Sequence, residues 1–132
     1  MRKIKFRAWD KTDGQMYYAI EDGIEFDDKS NYEFRHFLTL REGDYHKWEV
    51  MQFTGLLDKN GKEIYEGDIF KCNYCDKDLF EIYYDEDDAK FNKRLIKGKG
   101  CGNVHCIHMT DFKRSEIIGN IYSNPELINI SI

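Results

Sequence analysis

The chain opens on an alternation. Over residues 2–10, Ile4, Phe6 and Ala8 fall on one side and Lys3, Lys5 and Arg7 on the other. A period of two with one apolar side marks a half-buried strand, so a strand with one wet face is predicted here. Lys11-Thr12-Asp13-Gly14 supplies a turn, because Asp-Gly tolerates the positive φ that a tight hairpin needs. Residues 15–20 then read as the returning strand, with Met16, Tyr18 and Ile20 on one side. Asp22-Gly23 signals a second turn, and residues 24–26 continue the sheet until Asp27-Asp28-Lys29-Ser30 breaks it. Residues 31–40 fit two patterns: Phe34, Phe37, Leu38 and Arg41 suit a helical face, while Tyr32, Phe34, Phe37 and Thr39 allow a strand with a register change. A loop or short helix is the reading adopted.

After a turn at Arg41-Glu42-Gly43-Asp44, residues 47–54 resume β character, with Trp48, Val50, Gln52 and Thr54 opposed to Glu49, Met51 and Phe53. Bulky groups on both sides predict a strand covered on both faces or lying at a seam. Asn60-Gly61 is the strongest short-range hairpin signal a sequence offers. In Tyr65-Glu66-Gly67-Asp68, Gly67 permits a sharp bend into a strand that sends Ile69 toward the core. Further strands are predicted over residues 79–84, 104–109 and 116–122, and Asn124-Pro125 ends the sheet before one helical turn at residues 126–128. Short strands punctuated by turns predict an all-β fold with minor helix, a small barrel or sandwich carrying an N-terminal β-hairpin extension. No repeat and no Pro- or Ser-rich linker divides the chain. Residues 1–132 therefore read as one domain, with a hairpin unit over 1–44, a barrel-like part over 45–132 and the weakest seam at 27–44.

Composition agrees. With 132 residues, 41% hydrophobic and 15% aromatic, the chain can bury one core, and its nine Tyr and nine Phe suit pleated surfaces. No apolar stretch approaches the roughly 18 residues that would span a bilayer, and the charged N-terminus has no signal-like apolar region, so a soluble, cytoplasmic protein is expected. A net charge of −5 weighs against a general duplex-DNA binder, which neutralises phosphates with Lys and Arg.

One local asymmetry changes that picture. Asp85-Glu86-Asp87-Asp88 is followed by Lys90, Lys93, Arg94, Lys97 and Lys99 with no acid between them. The plainest reading is a solvated loop that balances its own charge. The functional one is an anion- or nucleic-acid-binding loop over 90–99 with Phe91 as a stacking platform. A carboxylate cluster for Mg²⁺ at 85–88 is the third.

Cysteine spacing carries the other candidate chemistry. Cys72-Asn73-Tyr74-Cys75 has the two-residue gap that lets two thiolates on one tight loop reach the same tetrahedral metal, and Cys101 and Cys106 form a second close pair, with His105 and His108 in reserve. The wider second gap and the distance between pairs depart from a zinc ribbon. Three readings stay open: a structural zinc site, ordinary reduced cysteines, and redox chemistry. Asp76 and Asp78 beside the first pair would raise the thiol pKa, which counts against redox activity. A metal clamp there would rigidify the basic stretch at 90–99.

Three stretches carry a resemblance: Arg2-Lys3-Ile4-Lys5-Phe6-Arg7-Ala8-Trp9-Asp10, the run from Met51 through Asn60-Gly61 and Glu66-Gly67-Asp68 to Ile69, and Glu116-Ile117-Ile118-Gly119-Asn120-Ile121-Tyr122-Ser123-Asn124-Pro125-Glu126-Leu127. Together they resemble the YopX family of bacteriophage and prophage proteins. The resemblance covers about half the chain, leaves the cysteines outside it, and departs most over residues 71–113. It implies a phage or prophage setting in the bacterial cytoplasm and brings no catalytic residues.

The residues themselves point the same way. No Gly-x-Ser-x-Gly elbow, phosphate-cradling Gly-x-x-x-x-Gly-Lys, His-Glu-x-x-His or Gly-x-Gly-x-x-Gly occurs. His36 and His46 read as packing or surface histidines, Asp10, Glu66 and Asp68 as turn residues, and Trp9 and Trp48 as core anchors. Tyr17, Tyr18, Tyr83 and Tyr84 suit either an interaction surface or strand pairing. The favoured expectation is a non-enzymatic module that binds a host or phage protein through its β surface, with homo-oligomerisation through edge strands open. The alternative is a zinc-supported nucleic-acid binder using Lys90, Phe91, Lys93, Arg94, Lys97 and Lys99; a hydrolase or nuclease resting on the run from Asp85 to Asp88 ranks third.

Overall fold

Strand signals become strands almost throughout. A computed structural model describes residues 3–22, 24–25, 31–32, 48–71, 78–98 and 115–128, in which strands are joined by turns and by two short 3₁₀ segments, Ile20–Asp22 and Pro125–Leu127. The fold is all-β. Contacts divide the chain into two compact units, Met1–Phe53 and Thr54–Ile132.

In the first unit, β1 (Phe6–Asp10) pairs antiparallel with β2 (Gln15–Tyr18), from Arg7 opposite Tyr18 to Asp10 opposite Gln15. On its other side β1 pairs with the start of β5 (Trp48–Leu57), from Phe6 opposite Gln52 to Asp10 opposite Trp48. Asp10 and Asp13 close the predicted hairpin: their carboxylates accept the N–H of Thr12 at 2.8 Å and of Gln15 at 3.0 Å, while Gly14 turns at φ 68°. Ala8, Ile20 and Trp48 form the core, with Phe6, Tyr17 and Val50 packed around them. In the chain between β2 and β5, β3 (Ile24–Glu25) and β4 (Asn31–Tyr32) make a short two-stranded ladder.

Two sequence expectations need correction here. Arg7 does not lie on a wet face, being only 1% exposed: its guanidinium sits 6.0 Å from the centroid of the Tyr18 ring, its partner on β2, and buried Met51 opposes it on β5. A long side chain with a planar cation packs in a covered layer that alternation alone would assign to water. Met16, Tyr18 and Ile20 likewise do not share one side, because Ala19 adopts φ 56° and breaks the alternation. Tyr17 and Ile20 reach the core and Tyr18 stays 55% exposed. Of the ambiguous stretch 31–40, Asn31 and Tyr32 are strand; residues 33–40 and the strand expected at 104–109 lie outside the described residues.

In the second unit the end of β5 pairs with β6 (Glu63–Tyr65), and a four-stranded antiparallel sheet runs in the order β10, β7, β8, β9, where β7 is Asp68–Lys71, β8 Leu79–Asp85, β9 Lys90–Lys97 and β10 Glu116–Asn120. Ile64, Phe70, Phe80, Ile82 and Ile117 form its core with Leu56 against them, and Phe70 and Phe80, directly opposed in register, stack at 5.4 Å between centroids. β9 was expected as a loop. Its charges hide a strand that is held by pairing with β8, residue against residue, and not by its own hydrophobicity.

The hairpin between β5 and β6 forms around Asn60-Gly61 as predicted, and Asp58 holds it. One oxygen of the buried Asp58 carboxylate accepts the N–H of Asn60 at 2.8 Å and of Lys62 at 2.9 Å; the other accepts the N–H of Ile117 in β10 at 3.0 Å. Lys59 N–H adds a bond to the carbonyl of Ser115 at 3.0 Å. Next along the chain, Asp68 accepts the N–H of Tyr65 at 2.8 Å across a turn in which Gly67 adopts φ 85°. Gly67 donates to the carbonyl of Ile82 and accepts from Ile121 N–H, so this one glycine links the turn to two other segments of the sheet.

Burial pushes the Asp58 carboxyl up, but N–H bonds from Ile117, Lys62 and Asn60 and the nearby Lys62 ammonium outweigh it and hold the group below its ordinary 3.8. A depressed folded-state pKa contributes stability above the unfolded value, and the contribution drains away as pH falls through the folded value. Asp58→Asn should therefore lower unfolding free energy in urea at pH 7 by about 1–3 kcal/mol, since one amide cannot accept three N–H bonds. The gap to wild type should narrow below the unfolded value of 3.8; an unchanged gap in acid would show that ionisation plays no part. At Gly61, with φ +81° and open space where a Cβ would stand, Asn should be nearly neutral and Val should cost about 1–2 kcal/mol in the same melts.

Candidate functional site

The β8–β9 hairpin gathers most of the basic residues singled out in the sequence. Its tip is the acidic run. Asp85 Oδ1 accepts the N–H groups of Asp87 at 3.1 Å and Asp88 at 3.3 Å, and Ala89 at φ 52° turns the chain back into β9. Asp85 thus serves as a turn cap. Among the described residues no group of three or more His, Cys, Asp or Glu is placed to hold a metal ion.

Register sorts the hairpin into two faces. On the face that carries the core residues Phe80 and Ile82, Tyr84 opposes Phe91, Ile82 opposes Lys93 and Phe80 opposes Leu95. On the other, Asp85 opposes Lys90, Tyr83 opposes Asn92 and Glu81 opposes Arg94; a bulge between Leu79 and Phe80 then sets Lys97 opposite Leu79. The six residues expected to form one basic loop are therefore distributed. Phe91 and Lys93 share one face, Lys90 and Arg94 the other, Lys97 follows the bulge, and Lys99 lies outside the described residues.

Each face has its own chemistry. Lys93 places its ammonium 4.8 Å from the centroid of the Phe80 ring and 5.9 Å from that of Phe70, a cation over the edge of the apolar core. Beside it Tyr84 and Phe91 meet edge to face at 5.3 Å, and Tyr84 and Leu95 are 41% and 40% exposed. The core face thus continues past the buried cluster into an open apolar ledge. Opposite, Arg94 stands 4.3 Å over the Tyr83 ring and 3.3 Å from Glu81 Oε2. That ion pair is largely solvent-exposed on the Arg side and fixes position more than it adds stability.

The outer side of β9 has no neighbouring strand among the described residues. An exposed edge offers a row of backbone donors and acceptors, which the lysines of β9 guard against indiscriminate pairing. Residue types alone named Tyr84, as suited to an interaction surface or to strand pairing, and missed Leu95. The signal was the alternation Phe91, Lys93, Leu95, which charge had obscured. Cys72, Cys75, Cys101, Cys106, His105 and His108 lie outside the described residues, as do His36 and His46.

Comparison with known proteins now gives this scaffold its relatives. The crystal structure of protein EF1440 from Enterococcus faecalis is similar at 26% identity and a TM-score of 0.61, covering 98% of this chain and 100% of that one. Among curated proteins nothing matches. The family model described as YopX protein matches residues 5–129, a continuous span that crosses the region where the signature stretches thin out. By that match the chain belongs to the YopX family.

Proposed function

We propose that the protein is a non-enzymatic binding module of a phage or prophage, acting in the cytoplasm of the bacterial host, and that it takes up an extended acidic segment of a host or phage protein along β9. The observation that carries this reading is the edge itself. Lys90, Lys93, Arg94 and Lys97 stand on one eight-residue strand without an acid among them, beside the exposed Tyr84 and Leu95. Strand addition supplies affinity through main-chain hydrogen bonds and selectivity through alternate side chains. Here the alternate positions favour carboxylates and an apolar group on the ledge. Among the described residues no helix is long and apolar enough to cross a membrane.

Charge weighs against the other occupants. Two copies joined antiparallel through β9 would set four cations against four, a like-charge arrangement that costs energy at every pair. Single-stranded nucleic acid would need free aromatic faces. Arg94 already lies over Tyr83, Lys93 over Phe80, and Phe91 meets Tyr84 edge to face.

A labelled ten-residue peptide alternating Glu and Val is the direct probe. Micromolar binding is expected by fluorescence anisotropy, weakened about tenfold or more by Lys93→Glu with Arg94→Glu and by Leu95→Asp. Single-stranded DNA should show little affinity and a flat dependence on salt; a log-log slope of several would transfer the site to nucleic acid. Peptide binding that ignores all three substitutions would overturn the assignment to β9.

A further inference from the structure

Antiparallel strands alternate between residue pairs that exchange both main-chain hydrogen bonds and pairs that exchange none, and the second kind turn their N–H and C=O groups away from each other. Two observations sort the β8–β9 hairpin. On β8, the carbonyl of Ile82 accepts the N–H of Gly67 at 2.8 Å, on the β7 side, so it points away from β9. On β9, the N–H of Lys93, which opposes Ile82, donates to the side-chain Oδ1 of Asn92 at 2.8 Å. Both place Ile82 and Lys93 among the pairs that exchange no bonds. Tyr83 with Asn92 and Glu81 with Arg94 are then the pairs that hold the hairpin together.

The same alternation turns the main-chain groups of Phe91, Lys93 and Leu95 to the outer side of β9, where no neighbouring strand stands among the described residues. An added strand would hydrogen-bond opposite these three. Residues facing one another across a strand pair share a face, so the side chains opposite Phe91, Lys93 and Leu95 would lie over the apolar ledge. Those between them would lie beside Lys90 and Arg94, both exposed, where carboxylates are matched.

The central donor of this edge is already engaged. An incoming carbonyl would need the position that Asn92 Oδ1 holds against Lys93 N–H. Asparagine is depleted in strands, yet Asn92 sits inside one, and a side chain that bonds to nearby backbone competes with the ladder for it.

We propose that Asn92 gates strand addition at β9: its carboxamide occupies the Lys93 N–H in the free protein and swings aside when an acidic segment pairs opposite Phe91, Lys93 and Leu95. This deepens the peptide-binding reading and rests on it. The gate discriminates between occupants. Two copies joined edge to edge must open two such caps and set cation against cation, whereas an acidic segment opens one and meets Lys90 and Arg94. An uncharged strand opens the cap with no ionic contact to offset the loss.

Asn92→Ala and Asn92→Val both remove the acceptor, differ in bulk and strand preference, and leave the main-chain bonds to β8 in place. In the free proteins, the Lys93 amide should exchange with deuterium about three- to tenfold faster in both variants than in wild type, relative to intrinsic rates, with the Arg94 amide unchanged. Both variants should bind the labelled ten-residue Glu-Val peptide about three- to tenfold tighter, the worth of one hydrogen bond that no longer has to break. In each complex the amides of Phe91, Lys93 and Leu95 should slow together while Arg94 keeps its rate. Equal or weaker binding by either variant would overturn the gate and leave the peptide-binding reading in place. So would a Lys93 amide that exchanges alike in the three free proteins, or protection gained at Arg94 in place of Lys93. Absence of binding in all three proteins would overturn the peptide-binding reading and the gate with it.

Discussion

A single carboxylate organises the second unit. Asp58 accepts three backbone N–H groups, two from its own hairpin turn and one from Ile117 in β10, a strand about sixty residues further along the chain. Without it the β5–β6 turn would have no fixed relation to the outer strand of the sheet, and the segment that returns at Ser115 would lose its neighbour. Thr54 complements this from inside the hairpin, donating its hydroxyl to the carbonyl of Ile64 at 2.8 Å while Ile64 fills the core. The apolar cluster supplies most of the driving force and is indifferent to direction. The carboxylate supplies the register.

How much of this could be read from the chain depends on whether a residue's role is local. Asn60-Gly61, Gly67 and the Asp13-Gly14 turn act through their own backbone angles, and all three were legible as turns. Asp58 drew no reading of its own from the sequence, because its bond to Ile117 crosses the fold. Arg7 was misassigned for a related reason: alternation reports which side of a strand a residue occupies, and says nothing of whether a second layer covers that side. β9 went unseen since Lys90, Lys93, Arg94 and Lys97 dominate its composition, while its stability comes from partners on β8. A strand held by its neighbour carries little evidence of itself.

The candidate site shows the same division. The basic residues were named as a group by charge, but strand alternation deals Lys90 and Arg94 to one face and Lys93 to the other, and only the place of Lys97 depends on the bulge at Leu79 and Phe80. Lys93 and Arg94, adjacent in sequence, end over different aromatic rings. Tyr84 and Leu95 acquire meaning only once Phe80 and Ile82 are known to be core, since the ledge is the outward continuation of that face.

The sheet has two unlike ends. At one end Asp68 opposes Asn120, Gly67 bonds to Ile82 and Ile121, and Asp85 caps the β8–β9 turn, so every chain reversal is closed by a local hydrogen bond. The signature stretches supply Gly67, Asp68 and Asn120 of that closure. At the other end Lys71, Leu79 and Lys97 lead into the two cysteine-bearing segments, and Asp78 holds a buried oxygen with no donor. A scaffold closed at one end tolerates variation at the other, because changes there need not disturb Phe70, Phe80 and Ile82. The basic strand β9 accordingly ends, at Lys97 opposite Leu79, on the side of the sheet that the signature stretches leave alone.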